Sequence, residues 1–360
     1  MLADLKGPVK GLLQAVLGPA YDYVMPSVGI PFPFLFPGSL LFAPFLVTAS
    51  AFALVMYLAG KRQTEGKSLQ GFLRFLVPAS VYRHPSAWLD CKYYVANSLL
   101  TTYLRLSTLA FMFGGLLYTG EGARRAFEFI WGPSLQGIQP SFLAQVGYSV
   151  AIVVAADYAK WVAHYLQHKI PVLWDFHKVH HSALVLTPLT NLRVHPVDFM
   201  FENFLTAVLT GFVVGAYGYR YSDGIVEISI LGLSLVYFLA AIVGNLRHSH
   251  IPLAYPRWFS KWVCSPVMHQ IHHSAEERHF DKNFSLVFSA WDYLAGSLYI
   301  PEAGEKYRLG IGAEGAELRS VWTLYAYPFV SAVRRFYAPP KPPAERGDGP
   351  RAAFPGLRMR

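Results

Sequence analysis

Long runs with few or no charged residues alternate with polar connections along much of this chain. Five runs approach the roughly 20 apolar residues that a helix needs to cross a bilayer. They are Leu40–Leu58, Tyr93–Tyr118, Phe129–Ala156, Asn203–Tyr219 and Ile228–Leu246. A short polar turn separates the last two, which are expected to form a helical hairpin. The pattern predicts an all-α integral membrane bundle of about four to five membrane helices.

The two ends of the chain do not follow this pattern. Apolar residues at positions 2, 5, 9, 12, 13, 16 and 17 repeat with helical spacing and predict an amphipathic helix on the membrane surface. Asp4 interrupts the basic region expected of a cleavable signal. Pro, Gly and Arg dominate residues 338–360, which are interpreted as a disordered basic tail.

The distribution of basic residues predicts an orientation in the membrane. The 61–92 connection holds six of them, the 119–141 loop holds two (Arg124 and Arg125) and the hairpin turn holds Arg220. Since short cytoplasmic loops are enriched in Lys and Arg, the first connection belongs on the cytoplasmic side. Alternation then places residues 157–202, and everything after Arg247, on that same side. Bacterial inner membrane or endoplasmic reticulum is the expected location.

Composition supports a membrane protein, because 53% of the residues are hydrophobic and only 15% are charged. The net charge of +9 suits nucleic acid or an anionic membrane, and the apolar content favours the membrane. Gly211-x-x-x-Gly215 indicates close helix packing more than dimerisation, and a homodimer stays an open alternative. Two cysteines are too few for a disulfide scaffold or a four-cysteine metal site.

The histidines are concentrated in one part of the sequence. Eleven of the thirteen lie between His164 and His273. His164-x-x-x-His168 places two imidazoles on one helix face, and an i, i+3, i+4 pattern then occurs twice. The two triplets are His177, His180 and His181, and His269, His272 and His273.

A metal centre explains these clusters better than eight separate core histidines do. Neutral imidazoles are costly to desolvate without partners, whereas a metal ion uses their lone pairs. Eight ligands exceed the four of one tetrahedral zinc, so two metal ions are expected. Imidazole suits Zn, Cu, Fe and Ni alike, so the spacing does not identify the metal.

Residues near the triplets extend the predicted site. His248 and His195 are further ligand candidates, with a turn histidine as the alternative for His195. His250 is expected to be structural or to support a ligand, and His84 and His279 are interpreted as ordinary polar residues. Asp157 lies about two helical turns before His164, so it is either a carboxylate partner for a ligand or a charge that ends the span.

Several motifs together resemble those of the fatty acid hydroxylase/sterol desaturase superfamily of membrane di-iron oxygenases. They run from about Ser149 to Pro301 and comprise His164-Tyr-Leu-Gln-His168, Trp174-Asp-Phe-His-Lys-Val-His-His-Ser182, Arg193-Val-His-Pro196, Arg247-His-Ser249, His269-Gln-Ile-His-His-Ser274, Asp281-Lys-Asn283 and Trp291-Asp-Tyr-Leu-Ala-Gly-Ser297. The ordered set is specific, although any one box alone is weak.

The resemblance implies two iron ions, with zinc as a substitute, and dioxygen as co-substrate. It implies hydroxylation, or secondarily desaturation, of an unactivated C–H bond in a lipid such as a sterol or fatty acyl chain. It also favours Asn283 and Asp292, beside Asp157, as residues that support the ligands. The expected partners are the lipid, the surrounding membrane and an external electron donor, a reductase with ferredoxin or cytochrome, but no nucleic acid.

Four regions follow from these observations. Residues 1–148 hold the amphipathic segment and the first membrane helices, 149–301 the catalytic region, 302–337 a C-terminal cytoplasmic segment and 338–360 the tail. A membrane haem carrier and a zinc-dependent membrane protein stay as alternatives. The Gly310-Ile-Gly-Ala-Glu-Gly315 pattern lacks the preceding strand and the later acidic residue of a nicotinamide site.

Overall fold

The computed structural model describes most of the chain between residues 43 and 337. The described residues are 43–60, 68–134, 138–221, 225–230, 233–235, 238 and 242–337. The N-terminal amphipathic helix and the basic tail predicted from the sequence lie outside them.

Helices dominate the described residues. In chain order they are α1 (Ala43–Ala59), α2 (Leu69–Leu76), α3 (Ala79–Tyr82), α4 (Pro85–Trp131), α5 (Phe142–Lys169), α6 (Pro171–His181), α7 (Pro196–Arg220), α8 (Gly244–Arg247), α9 (Arg257–Ser260), α10 (Pro266–His272), α11 (Ala290–Ala295) and α12 (Val321–Tyr337). Short 3₁₀ turns cover Pro188–Leu192, Glu277–His279 and Gly312–Glu317. Strands β1 (Ser229–Ile230) and β2 (Leu233–Ser234) pair antiparallel, with Ser229 opposite Ser234.

Two of the described helices, α5 and α7, are long and apolar enough to cross a membrane. The apolar helix α1 is shorter, at 17 residues. The predicted span Tyr93–Tyr118 lies inside α4, a helix of 47 residues. The predicted span Phe129–Ala156 is divided, because α4 ends at Trp131, Gly132 follows with a φ of 88°, and α5 begins after Ser141. A glycine in this conformation stops a helix without steric cost.

The predicted hairpin partner Ile228–Leu246 is not one continuous helix. Its described residues include β1, β2 and the single turn α8. Hydropathy alone does not distinguish a helix from an extended segment in an apolar run, which is why the sequence pattern was misleading here. The Glu227 carboxylate accepts a hydrogen bond from the Leu235 N–H at 3.2 Å and so holds the two ends of the β turn together.

Helices α4 and α7 pack closely through glycine. A Cβ atom on Gly211 would lie 2.7 Å from the Leu116 carbonyl oxygen, and one on Gly215 would lie 2.8 Å from the Ala123 Cβ and would meet the Gly120 carbonyl. Larger residues at these positions would push the two helices apart. The predicted close packing of Gly211-x-x-x-Gly215 is thus confirmed.

Ion pairs with buried members link α6, α12 and the start of α4. On α6, Lys178 lies 2.7 Å from Asp175, and Asp175 also binds Arg335 of α12 with an oxygen to Nη2 distance of 3.0 Å. Arg193 is buried and lies 2.9 Å from Asp90 at the start of α4. Helical spacing places Asp175 and Lys178 on one face of α6 and its histidines on the other.

Candidate metal centre

Nine of the ten histidines predicted as ligands lie in two adjacent clusters. Cluster 1 consists of His164, His168, His177, His181 and His272, and cluster 2 of His180, His248, His269 and His273. Within each cluster, one ring nitrogen of each histidine lies within 4.8 Å of those of the others. The rings of His181 in cluster 1 and His273 in cluster 2 stack at 4.4 Å between centroids, so the two clusters are in direct contact.

The structure divides each histidine triplet between the clusters. From α6, His177 and His181 enter cluster 1 whereas His180 enters cluster 2. The division is reversed for α10 and its C-cap residue. His272 enters cluster 1, whereas His269 and His273 enter cluster 2. Neighbouring positions on a helix differ by about 100° in direction, so one His-His doublet reaches two sites. Two doublets from facing helices therefore build a paired centre.

The spacing of the nitrogens fits metal coordination. His248 Nε2 lies 3.0 Å from His180 Nε2 and 3.1 Å from the Nε2 atoms of His269 and His273. In cluster 1, His181 Nε2 lies 3.1 Å from His177 Nε2 and 3.2 Å from His168 Nε2. Two nitrogens bound to one metal at about 2.1 Å lie roughly 3.0 to 3.4 Å apart. One N–H can satisfy only one of these contacts, whereas a cation satisfies all of them.

The rings of cluster 1 are held from outside by acceptors. His164 Nδ1 donates to the Phe284 carbonyl at 2.8 Å, and His272 Nδ1 donates to the Lys282 carbonyl at 2.7 Å. His177 Nδ1 lies 3.1 Å from the Asp198 carboxylate. Because these oxygens only accept, each Nδ1 carries the hydrogen and each Nε2 keeps its lone pair. The buried Nε2 atoms of His164 and His272 have no hydrogen-bond partner among the described residues, as a ligand atom requires.

Cluster 2 is fully buried, and burial controls its protonation. Burial lowers the pKa of His180, His269 and His273 well below the usual value, and neighbouring imidazoles lower it further. Burial and the nearby Arg247 charge lower the pKa of His248 to about 3. The same effects lower the pKa values of His181 and His272 in cluster 1. These rings are neutral at pH 7, the form that binds metal.

None of the hydrogen bonds in the described residues joins Asp157, Asn283 or Asp292 to a clustered imidazole. Asp157 accepts the backbone N–H groups of Val287 and Phe288 at 2.8 and 3.0 Å, so it anchors this loop and does not orient His164. Its spacing from His164 was thus a poor guide, because it bonds to a segment 130 residues away. Asp292 accepts the Phe284 N–H at 3.1 Å.

The Asn283 side chain bonds to the backbone of two neighbouring segments. It donates to the carbonyls of Met268 and Tyr299 at 3.0 and 2.8 Å. Asp281 and Asn283 both have a φ of 58°, a left-handed conformation that Asp and Asn tolerate. The loop thereby carries the Lys282 and Phe284 carbonyls to the two histidines they hold.

Sequence reasoning missed Asp198, the one carboxylate in the described structure that contacts a clustered histidine. It lies in the first turn of α7, three residues after His195, and is 4% exposed. The Gln167 side chain also donates to it. An acidic residue in the first turn of a helix is common, so the motif around His195 drew attention to the histidine instead.

His195 lies outside both clusters, so the structure does not bring this candidate to the site. Its Nε2 donates to the Tyr325 carbonyl at 3.2 Å, and its Nδ1 accepts the Val197 N–H at 3.2 Å as the N-cap of α7. Both nitrogens are used, as in the turn histidine considered from the sequence. His250 also lies apart, with Nε2 2.7 Å from the Phe75 carbonyl, and His84 caps α4. His279 binds Glu305 at 3.0 Å.

Comparisons with known proteins agree with the centre. Residues 149–297, which include all nine clustered histidines, match the family model described as fatty acid hydroxylase. An ornithine lipid hydroxylase, OlsE, from Rhizobium tropici is 25% identical over 170 residues, 46% of this chain and 46% of the relative. This chain thus spans about half the length of that relative. No solved structure matches this chain.

Proposed function

We propose that this chain, which belongs through residues 149–297 to the fatty acid hydroxylase/sterol desaturase superfamily, is a membrane-bound di-iron lipid hydroxylase. The convergence of nine imidazoles in two adjoining clusters carries the proposal. Iron held by these nitrogens would supply the activation of dioxygen and the oxidation of a C–H bond. In the overall reaction, the lipid C–H, dioxygen, two electrons and two protons give an alcohol and water.

The histidines hold the metals, and the residues around them determine ring orientation. Asp198 and the carbonyls of Lys282 and Phe284 keep three Nε2 lone pairs directed into cluster 1. Two aromatic rings flank His168, Phe284 at 5.1 Å and Trp174 at 5.0 Å between centroids. These rings exclude water from the nitrogens, which protects a reactive centre from side reactions.

Cluster 1 is the side from which we expect the substrate to approach. His164 and His168 are only partly buried, whereas every member of cluster 2 is buried. Both residues lie in the last turns of α5, just beyond its apolar stretch. A lipid in the membrane therefore reaches them without crossing bulk water.

The relative's name indicates a lipid with a polar headgroup, and we propose a membrane lipid of this kind as substrate. Sterols and fatty acyl chains are the other candidates from the sequence. An external reductase with ferredoxin or cytochrome would supply the electrons.

The decisive experiment combines metal analysis with lipid mass spectrometry. Purified protein loaded with iron, a chemical reductant and air is incubated with an extract of membrane lipids. We expect two iron ions per chain and a lipid that gains one oxygen atom, with no product from the His272→Ala variant. Loss of two hydrogens would indicate desaturation instead. An intense Soret band would favour the haem carrier, and two zinc ions without any oxidised lipid would favour the zinc protein.

The orientation of the centre is a separate part of the proposal. The count of basic residues supports the cytoplasmic side. Tags at Asn203 and Arg360 are expected on that side, and glycosylation of an engineered site near Asp281 would contradict it.

A further inference from the structure

Exposed aromatic and basic side chains alternate on α9 and the residues that follow it. Trp258 is 70% exposed and Trp262 is 59% exposed. Arg257 and Lys261 are exposed beside them. Arg257 pairs with Glu302 at 3.1 Å, whereas the Lys261 side chain forms no hydrogen bond or ion pair with any residue in the described ranges. Exposed large apolar side chains of this kind mark interaction sites.

A second short segment extends this surface. The Ser289 hydroxyl donates to the Ser260 carbonyl at 2.7 Å, and this bond joins the end of α9 to the start of α11. On α11, Tyr293 and Leu294 are exposed. We call Trp258, Phe259, Trp262, Tyr293 and Leu294 the aromatic patch.

The aromatic patch is connected to the apolar surface of α5. Trp291 of α11 donates from Nε1 to Asp157 of α5 at 2.9 Å, and its ring lies 5.0 Å from that of Tyr158. Val150 and Val154 are exposed along the same helix and line an open apolar groove with Tyr158 and Trp291. The patch thus begins where the lipid-facing surface of α5 ends.

A second band of exposed apolar residues lies at the opposite end of α5. It comprises Trp131 at the end of α4, and Phe142 and Leu143 at the start of α5. From Phe142 to Trp161 the helix rises about 29 Å, at roughly 1.5 Å per residue. The hydrocarbon core of a bilayer is about 30 Å thick, and aromatic residues concentrate at its two borders.

We propose that the aromatic patch, with Arg257 and Lys261, is an interfacial anchor that binds the headgroup region of an anionic bilayer on the histidine side. The exposed ammonium of Lys261 complements a lipid phosphate, and the tryptophans suit the apolar-to-polar boundary. The anchor rests on the proposed function in one respect, that α5 crosses the membrane. The anchor would hold His164, which lies about one turn beyond Trp161, about 5 Å from the border of the hydrocarbon core.

Spin labels at three positions test the anchor in the full chain. Cys91→Ser provides the background, because Cys264 is buried and burial raises the pKa of its thiol to about 12. Labels are attached at Trp262→Cys, at Val150→Cys and at Lys306→Cys, an exposed polar control that contacts no member of the patch among the described residues. The protein is placed in bilayers of phosphatidylcholine with phosphatidylglycerol. Relaxation of each label by oxygen and by a water-soluble nickel complex measures its depth.

We expect the label at position 262 to lie about 5 to 10 Å inside the headgroup boundary and the label at 306 to lie in water. A water-exposed label at 262 would overturn the anchor if the label at 150 is in lipid. A water-exposed label at 150 would overturn the membrane crossing itself, and with it the anchor. Shielding of position 262 from both reagents would mean that protein covers the patch, and this would also overturn the proposal.

The preference for anionic lipid has its own test. Phosphatidylglycerol bound to the purified chain is counted by mass spectrometry for Lys261→Gln and for the exposed control Lys306→Gln. We expect Lys261→Gln to lose at least half of the bound anionic lipid, and the control to keep it. Equal retention in the two variants would overturn the assignment of anionic lipid.

Discussion

The two histidine clusters differ in what holds their rings. In cluster 1, a carboxylate and two backbone carbonyls accept the Nδ1 hydrogens of His164, His177 and His272. In cluster 2, the buried Nδ1 atoms of all four histidines lack a hydrogen-bond partner among the described residues. Cluster 1 is also partly open, whereas cluster 2 is closed.

This difference indicates how each cluster is assembled. Partners outside a ligand orient its ring and raise its basicity, so cluster 1 is organised by the protein before a metal binds. The rings of cluster 2 are positioned by packing and by four mutual contacts, three of which involve His248. We expect cluster 1 to be sensitive to residues beyond its ligands and cluster 2 to be sensitive mainly to the ligands themselves.

Removal of one ligand from each cluster should have the largest effect. His272→Ala in cluster 1 and His180→Ala in cluster 2 should each abolish turnover and lower the bound metal, because each takes one nitrogen from a different ion. Iron content per chain and lipid product are the measurements. His84→Ala is the control, since His84 caps α4, and it should change neither value. Equal effects at all three positions would contradict the division into ligands and other histidines.

Substitution of Asp198 should affect cluster 1 alone. Asp198→Asn removes the charge that holds His177 while it keeps the size of the side chain, and it should weaken metal binding there by about 10- to 100-fold. Metal titration followed by chelator competition measures the two affinities. Asp281→Asn is the matched control, because Asp281 is exposed and pairs with Lys169. Similar losses at both clusters would show that they do not assemble independently.

Acid should destabilise the metal-free protein through the histidines of both clusters whose pKa is lowered, and all four histidines of cluster 2 are among them. In cluster 2, the pKa values of the histidines are lower in the folded state than in the unfolded state. As the pH falls, the unfolded state therefore binds more protons than the folded state does. The contribution is complete above about pH 6.5 and is lost as the pH falls, for His248 down to about 3. The free energy of unfolding should fall by about 1.4 kcal/mol per pH unit for each such histidine.

Thermal unfolding in detergent between pH 7.5 and 5 measures this effect. His269→Gln should make the decrease less steep, because it removes one titrating group of cluster 2. His84→Gln serves as the control and should leave the slope unchanged. An identical slope in the two variants would count against burial as the cause.

The smallest effect on metal is expected at His195. His195→Ala removes the N-cap of α7 and a bond to the Tyr325 carbonyl, so it should cost about 1 to 2 kcal/mol of stability. Bound iron should stay at two per chain, because neither nitrogen reaches a cluster. Loss of metal from a folded His195→Ala protein would return this residue to the ligand set.

Local patterns explain which parts of the fold were predictable. The i, i+4 spacing of His164 and His168, and the two triplets, depend only on helical geometry, so the sequence indicated the clustered histidines. The glycine pair at 211 and 215 likewise indicated close packing. The strands within 228–246 and the division of 129–156 were not predictable in this way. Hydropathy alone does not distinguish a strand from a helix, nor does it show where a helix ends within an apolar run.

The sequence alone determined the residue types, their helical spacing and the excess of nitrogen ligands over one metal, since all three follow from composition and period. Only the tertiary structure decided which histidine joins which cluster, that His195 caps a helix, and that Asp198 holds His177. Apart from the local cap bond between His195 and Val197, the hydrogen bonds behind these assignments join residues well separated in the chain, such as His164 with Phe284, and no local pattern specifies such a pairing.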